Sequence, residues 1–232
     1  ERSLLIRRAR LDSLHPDVAE SLQNSGRVLR LLSRFDEAER AYMHALALHR
    51  RAGRLDTEAG IALLSDLGFL MPYLARDDES VRYYREAYAL ARRLRGERDP
   101  ETSTLEVRLG ASIKRSGRYA EAESLLRDAV TRLKRDAGLR DPRTGTALFH
   151  LADALVESGG DTTEAERTYR EGVAIHRASA GSAIGAIHGL DGLANIAERR
   201  NRPHESESLR REGLALRQRV YGAVNPHVAG AR

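Results

Sequence analysis

The sequence contains no cysteine and no tryptophan, and only three of its 232 residues are phenylalanine. Without cysteine, a disulfide framework and a thiolate metal site are excluded, and a reducing compartment is favoured. No apolar run of about 18 residues is present, so no segment is typical of a membrane-spanning helix. No secretory signal pattern opens the sequence. We therefore expect a cytoplasmic protein without a membrane partner.

Basic residues slightly outnumber acidic ones, since 39 Lys and Arg against 34 Asp and Glu give a formal net charge of +5. Such a balance admits a nucleic-acid-binding solenoid, which is the weakest of the functions we consider. The acidic residues are interspersed with arginines at helical spacings, as on solvated helix surfaces. No segregated basic stripe with base-stacking aromatics is present. Nucleic acid is therefore not the expected partner.

One pattern recurs through the chain at a step of 42 residues. Small residues keep this step at five positions, namely Gly26, Gly68, Gly110, Ala152 and Ala194. Four prolines are separated by multiples of the same step, namely Pro16, Pro100, Pro142 and Pro226. Self-similarity at a fixed step of roughly 20–50 residues indicates an array of repeats.

The step predicts a single array over residues 1–232. We expect five full repeats, at 16–57, 58–99, 100–141, 142–183 and 184–225. Residues 1–15 would be the end of a preceding repeat, and residues 226–232 would be the start of a truncated one. Because both ends cut a repeat, the sequence predicts a piece of a longer protein.

Each repeat predicts two helices joined by a short turn, and the third repeat shows this most clearly. Asp99 and Pro100 mark the start of its first helix, because Asp accepts hydrogen bonds from free N–H groups and Pro suits the first helical position. An apolar stripe follows at spacings of three and four residues. Residues 116–119 form the turn, and the second helix carries its own stripe from Ala122 onwards.

Small residues at the eighth position of each first helix are expected to let the two helix backbones of a repeat approach closely. One helix pair cannot bury its stripe alone, so successive pairs must stack. Two departures from the pattern are visible. Pro72 should bend or shorten the first helix of the second repeat, and the fourth repeat gains one residue within 159–163.

The order of Leu, Gly or Ala and Leu, a turn, and then Ala, Tyr and Ala resembles the tetratricopeptide repeat. The 42-residue step, the prolines that open the repeats, and residues 34–39 and 118–123 resemble the kinesin-light-chain type. The resemblance covers essentially the whole chain. It implies an all-α, right-handed superhelical solenoid of antiparallel helix pairs, with the first helices lining a concave groove.

The resemblance also implies a function. Proteins of this kind bind a peptide or protein segment in the groove without catalysis, so we expect a non-catalytic protein-interaction module or scaffold. Bacterial relatives are often joined to kinase, protease-like or NTPase domains, and we expect a bacterial protein. A second function therefore stays open, that of a regulatory or sensor arm of a larger signalling enzyme that contacts another domain of its own chain.

Groove-facing positions are carried over from the resemblance, with the small residue as position eight. In the first three repeats the candidate partner-binding residues are Gln23, Asn24, Arg27, Arg30, Asp66, Phe69, Tyr73, Arg108, Lys114 and Arg115. In the last two repeats they are Phe149, His150, Asp153, Glu157, Asp191, Asn195 and Arg199. Positive charge prevails in the first set even when Glu20 is added, and negative charge prevails in the second set together with Glu198.

This charge pattern predicts a ligand with acidic residues toward the basic half of the groove. Arginines would make bidentate contacts with its carboxylates, and Phe69, Tyr73 and Phe149 would bury its apolar side chains. The alternative is that the charges form a solvated face and the two phenylalanines pack between neighbouring repeats.

No catalytic or metal-binding pattern stands out. His44 and His49 are five residues apart, which does not place both on one helix face, and no His-Glu-x-x-His motif exists. A glycine-rich stretch lacks the Lys and Ser or Thr of a phosphate loop. It predicts instead close helix packing or a soft, hinge-like helix, and it comprises Gly181, Gly185, Gly189 and Gly192. We therefore expect no enzyme activity, no metal and no cofactor.

Overall fold

The computed structural model describes residues 16–160, 162–179 and 183–221. Within these ranges there are ten α-helices, two short 3-10 helices and no strand. The α-helices are α1 Pro16–Leu31, α2 Phe35–Arg51, α3 Glu58–Leu70, α4 Asp77–Arg95, α5 Pro100–Arg115, α6 Tyr119–Asp136, α7 Pro142–Glu157, α8 Thr162–Ala178, α9 Ala186–Arg199 and α10 Pro203–Tyr221. The all-α prediction is confirmed. The predicted partial repeats at 1–15 and 226–232 lie outside the described residues.

Helix starts follow the Asp-Pro pattern. The side chain of Asp99 accepts hydrogen bonds from the backbone N–H groups of Glu101 at 3.1 Å and Thr102 at 3.0 Å. Asp141 accepts from the backbone N–H of Arg143 at 2.8 Å. Each aspartate therefore satisfies N–H groups that have no partner inside the helix.

Pro72 shortens the first helix of the second repeat, as predicted. Helix α3 has 13 residues and ends at Leu70, whereas α1 and α5 have 16 each. A 3-10 helix, Met71–Leu74, follows it, and Ala75 then takes a left-handed conformation with φ of 56°. The missing proline N–H cannot continue the α-helical hydrogen-bond pattern, so Tyr73 lies on a tighter turn than its counterparts in α1 and α5.

The glycines at position eight have a role that the sequence pattern did not predict. A Cβ on Gly26 would lie 2.5 Å from Tyr42 Cε1, and a Cβ on Gly68 would lie 2.8 Å from Tyr84 Cδ2. At both sites the atoms nearest to the glycine belong to an aromatic ring of the following helix. The prediction of close backbone approach did not include these rings.

The chain divides into two compact units, Glu1–Ser116 and Gly117–Arg232. In the N-terminal unit, α1, α3 and α5 are the first helices of their repeats, and α2 and α4 are second helices. In the C-terminal unit, α7 and α9 are first helices. The side of a unit on which these first helices lie next to each other is called the first-helix face.

A buried carboxylate ties the helices of the C-terminal unit together. Glu166 on α8 is 5% exposed. It accepts from Arg200 Nη1 at 2.7 Å and from Arg202 Nη2 at 2.9 Å, and it pairs with Arg170 at 2.5 Å. The Arg202 hydrogen bond, helped by the charges of the other two arginines, holds the pKa of Glu166 below its usual range.

Replacing Glu166 by glutamine is expected to lower the free energy of unfolding by about 1–2 kcal/mol at pH 7, since the partly exposed arginines lose their anion. Because the pKa of Glu166 is lower in the folded protein, its ionised carboxylate stabilises the fold at pH values above the unfolded-state pKa of about 4.3. This stabilisation is lost as the pH falls through the folded-state pKa. The difference between wild type and variant in urea denaturation should therefore shrink in acid. Glu207→Gln, in an exposed pair with Arg211, is the control, and an equal loss there would contradict the prediction.

Candidate functional site

Polar side chains link neighbouring first helices across the face of the N-terminal unit. Asp66 on α3 accepts hydrogen bonds from Gln23 Nε2 at 2.7 Å and Arg27 Nε at 2.8 Å, both on α1. Arg108 Nη1 on α5 donates to Ser65 Oγ on α3 at 2.9 Å. The face is therefore an ordered polar surface in which the predicted residues Gln23, Arg27, Asp66 and Arg108 come together.

An exposed aromatic cluster lies at one end of this face. Phe69 is 42% exposed and Tyr73 is 52% exposed. The rings of Phe35 and Tyr73 stack with centroids 4.8 Å apart, and those of Phe69 and Tyr73 are 5.7 Å apart. Leu31 is 74% exposed. The predicted residues Phe69 and Tyr73 are thus placed together where an apolar side chain of a partner could cover them.

The arginines of this face differ in their partners. Arg27 pairs with Asp66, and Arg115 Nε lies 3.6 Å from Asp77 Oδ1 on α4. The guanidinium of Arg30 instead lies over the ring of Phe69, 4.6 Å from its centroid. Arg108 donates a hydrogen bond to the neutral hydroxyl of Ser65. Among the described residues, neither of these two makes an ion pair with a carboxylate. Asp77 is not among the predicted groove residues, because these were taken from first helices and Asp77 belongs to a second helix.

Asn24 and Lys114, the remaining candidates of this unit, lie on α1 and α5. The Asn24 side chain is exposed, and that of Lys114 is half-buried. Both stay predictions as partner contacts.

Second-helix tyrosines reach toward the face through the glycine gaps. Burial raises the pKa of Tyr84 to about 12, and Arg108 and Asp66 act on it with opposite signs. Burial likewise raises the pKa of Tyr42. Neither tyrosine is among the candidate partner-binding residues predicted from the sequence. The sequence does contain a signal for this packing, because Tyr42 follows Gly26 at the same sequence spacing as Tyr84 follows Gly68.

Asp153 on α7 is the centre of the first-helix face of the C-terminal unit. The Tyr169 hydroxyl on α8 donates to Asp153 Oδ1. His188 Nε2 on α9 lies 3.2 Å from both carboxylate oxygens, and His150 Nδ1 lies 3.9 Å from Oδ2. Burial, and next the Asp153 charge, raise the pKa of Tyr169. The predicted residues His150 and Asp153 therefore belong to one polar cluster joining three helices.

Phe149 does not lie on the surface, and its prediction as a ligand anchor is wrong. It is 1% exposed. Its ring stacks on His176 of α8 with centroids 5.2 Å apart and meets His188 of α9 at 5.3 Å. A Cβ added to Gly172 would lie 2.5 Å from the same ring. The alternative prediction, that this phenylalanine packs between repeats, is confirmed.

Arginines of α10 neutralise part of the predicted acidic half. Arg217 Nη2 lies 2.5 Å from Asp191 Oδ2. Arg210 Nη2 donates to Glu198 Oε1 at 2.8 Å and to Asn195 Oδ1 at 3.3 Å. The other two candidates of this unit, Glu157 and Arg199, have exposed side chains. The first-helix charges therefore overstate the negative charge of this face, because second-helix side chains extend onto it.

The described residues contain no group of three His, Asp or Glu side chains placed to hold a metal ion. In the same part of the chain, no helix is both long enough and apolar enough to cross a membrane.

Sequence models described as the tetratricopeptide repeat match residues 1–51, 60–135 and 101–178, and a second such model matches 187–227. No protein among the curated sequences matches this chain significantly.

Several solved structures share the fold. BtubC (BKLC) from P. vanneervenii has a TM-score of 0.74 at 18% identity, with 95% of this chain and 89% of that chain covered. The Podosopora anserina putative kinesin light chain with nearly identical TPR-like repeats has a TM-score of 0.69 at 17% identity, covering 88% and 97%. NprR in complex with its cognate peptide NprX has a TM-score of 0.65 at 12% identity, covering 93% and 65%. The predicted kinesin-light-chain likeness is confirmed, and the chain belongs to the tetratricopeptide repeat family.

Proposed function

We propose that this protein is a non-catalytic interaction module that holds a peptide or an extended segment of a partner protein on its first-helix face. The observation that carries the proposal is the juxtaposition, in the N-terminal unit, of exposed Phe69 and Tyr73 with Arg30 and Arg108, which have no carboxylate partner among the described residues. An aromatic cluster rimmed by arginine is typical of interaction hot spots. NprR, which shares the fold, binds a peptide.

The chemistry of the face favours a partner segment that carries an aromatic or aliphatic side chain next to acidic residues. The apolar side chain would cover Phe69 and Tyr73, and the carboxylates would pair with Arg30 and Arg108. Charge-assisted bidentate contacts give such pairs their geometry and strength. Nucleic acid is disfavoured on this surface, because Arg27 already pairs with Asp66 at 2.8 Å.

The test is selection of ligands from a random peptide library on the full chain, followed by affinity measurements on variants. Phe69→Ala and Arg108→Ala should each weaken the selected peptides by about tenfold or more, as hot-spot truncations do. The matched controls are Leu94→Ala on α4, which is 46% exposed, and Arg51→Ala on α2. Selected sequences without acidic residues, or equal losses in the controls, would contradict the proposal.

A further inference from the structure

Two ion pairs link α6 and α8 on the second-helix face of the C-terminal unit, the side on which these two helices lie next to each other. Arg127 Nη1 lies 2.6 Å from Glu164 Oε1, and Lys134 Nζ lies 2.7 Å from Glu171 Oε1. On each helix the two residues are two turns apart, which is about 10 Å. The gap that these pairs border contains a cavity of 490 Å³, within the usual range of roughly 300–1,000 Å³ for ligand sites.

The floor of this cavity is apolar. Leu148 and Leu151 of α7 and Val130 of α6 line it, and all three are buried. Thr168 of α8 forms part of the wall, and its hydroxyl donates to the backbone carbonyl oxygen of Glu164 at 2.8 Å. An apolar floor inside a rim of charged groups is the arrangement of an interface pocket that receives one side chain of a partner.

The N-terminal unit shows what occupies the corresponding place in another repeat. Residues 82–86 of α4 read Arg-Tyr-Tyr-Arg-Glu, and residues 167–171 of α8 read Arg-Thr-Tyr-Arg-Glu. The second run follows the first by two repeat steps and the one residue that the fourth repeat gains. Thr168 therefore stands where the second repeat has Tyr83.

Tyr83 is buried and reaches from α4 to α2. Its hydroxyl lies 3.6 Å from Met43 Sδ on α2, and the guanidinium carbon of Arg82 lies 5.2 Å from its ring centroid. The counterparts of Met43 and Arg82 in the C-terminal unit are Arg127 and Arg167. Arg167 lines the cavity, is exposed and makes no ion pair with any described residue. The C-terminal unit therefore keeps the arginine of this arrangement and lacks the ring.

We propose that this cavity is a docking site for a partner protein, which inserts an aromatic side chain between α6 and α8. The inserted ring takes the place that Tyr83 occupies in the N-terminal unit, above Leu148 and Leu151 and under the guanidinium of Arg167. Burial of the ring on the apolar floor supplies affinity. A guanidinium within about 6 Å of the ring centroid adds cation–π attraction. This second surface is independent of the first-helix face.

The test uses Thr168→Tyr, which supplies the ring from the chain itself. N-acetyl-tyrosinamide is titrated into the full chain while the NMR methyl signals of Val130, Leu148 and Leu151 are followed. We expect saturable shifts in the wild type, much smaller shifts with N-acetyl-leucinamide, and none in the variant. Signals that do not move in the wild type, or that move equally in the variant, overturn the inference.

Two further variants control for folding and for the role of the arginine. Thr168→Tyr should have an unchanged or higher thermal midpoint, because its ring enters an existing cavity. The reciprocal variant Tyr83→Thr should lower the midpoint, because it removes a buried ring. An equal fall in both would show that the cavity does not admit a ring, which refutes the inference. Arg167→Ala should keep the midpoint and weaken N-acetyl-tyrosinamide several-fold, and unchanged affinity would contradict the placement of the ring under Arg167.

Peptide selection on the full chain separates a partner protein from other occupants. Peptides that lose tenfold or more in affinity on Thr168→Tyr should share an aromatic residue. The same variant should keep the affinity of peptides that Phe69→Ala weakens, so that a failure at one surface is distinguishable from a failure at the other. Self-association of the wild type that Thr168→Tyr abolishes would make a second copy of the chain the occupant, and it would overturn the assignment to a different protein.

Discussion

Replacing Phe149 by alanine is expected to lower the free energy of unfolding by about 3–5 kcal/mol, the range found for large buried aromatic side chains. The ring is 1% exposed and stands between His176 of α8 and His188 of α9. Because these neighbours belong to two different helices, the cavity left by the ring cannot collapse without moving one of them. Urea denaturation of the full chain at neutral pH measures the effect.

Phe69→Ala is the matched control for this variant. Its ring is 42% exposed, so less apolar area leaves water on folding, and the expected loss is smaller, about 1–2 kcal/mol. The two variants should also separate in binding, since Phe69→Ala weakens the proposed ligand. A stability loss at Phe149 no larger than that at Phe69 would contradict the burial of this ring and its role in joining the helices.

Much of the fold could be predicted because the responsible interactions are local. The Asp99 cap depends on the next three residues, and the end of α3 depends on a single ring, that of Pro72. The repeat step then fixes which residues share a stripe. None of these features requires knowledge of a distant contact, so the sequence alone contains them.

The candidate site was less predictable, because it depends on contacts between repeats. Phe69 and Phe149 were both assigned to the groove, yet only Phe69 is exposed, and the difference comes from glycines on α8 and α9 that open a slot for Phe149. Arg115 looked like a free cation until Asp77 of α4 was placed beside it. Exposure and charge at such positions are decided by side chains of other helices.

The ring of Tyr42 shows the same limit in another form. A tyrosine at the middle of a second helix has the spacing of a core residue, and its ring is indeed buried. Because Gly26 has no side chain, the ring can extend far enough for its hydroxyl to reach beneath the first-helix face. The Gly26 and Tyr42 spacing predicts the ring packing, whereas the charged groups that act on the hydroxyl, Asp66, Arg30 and Arg27, become visible only in three dimensions.

Replacing Gly189 by alanine is expected to destabilise the protein by about 2–3 kcal/mol, in spite of the helix propensity gained. A Cβ on Gly189 would overlap the ring of Phe149 and lie 2.5 Å from Val173 Cγ2. Both neighbours are buried, so the overpacking cost is near the upper end of the usual 1–3 kcal/mol. Urea denaturation measures it.

Gly213→Ala, in the second helix of the same repeat, is the control. A Cβ there would meet nothing closer than Arg217 Nη1 at 3.4 Å, so the variant should gain up to about 1 kcal/mol from helix propensity alone. Opposite signs at the two glycines would show that Gly189 serves packing. If Gly189→Ala instead stabilised the protein and raised the hydrogen-exchange protection of α9, the glycine would be a source of softness, and the hinge hypothesis for this stretch would replace the packing one.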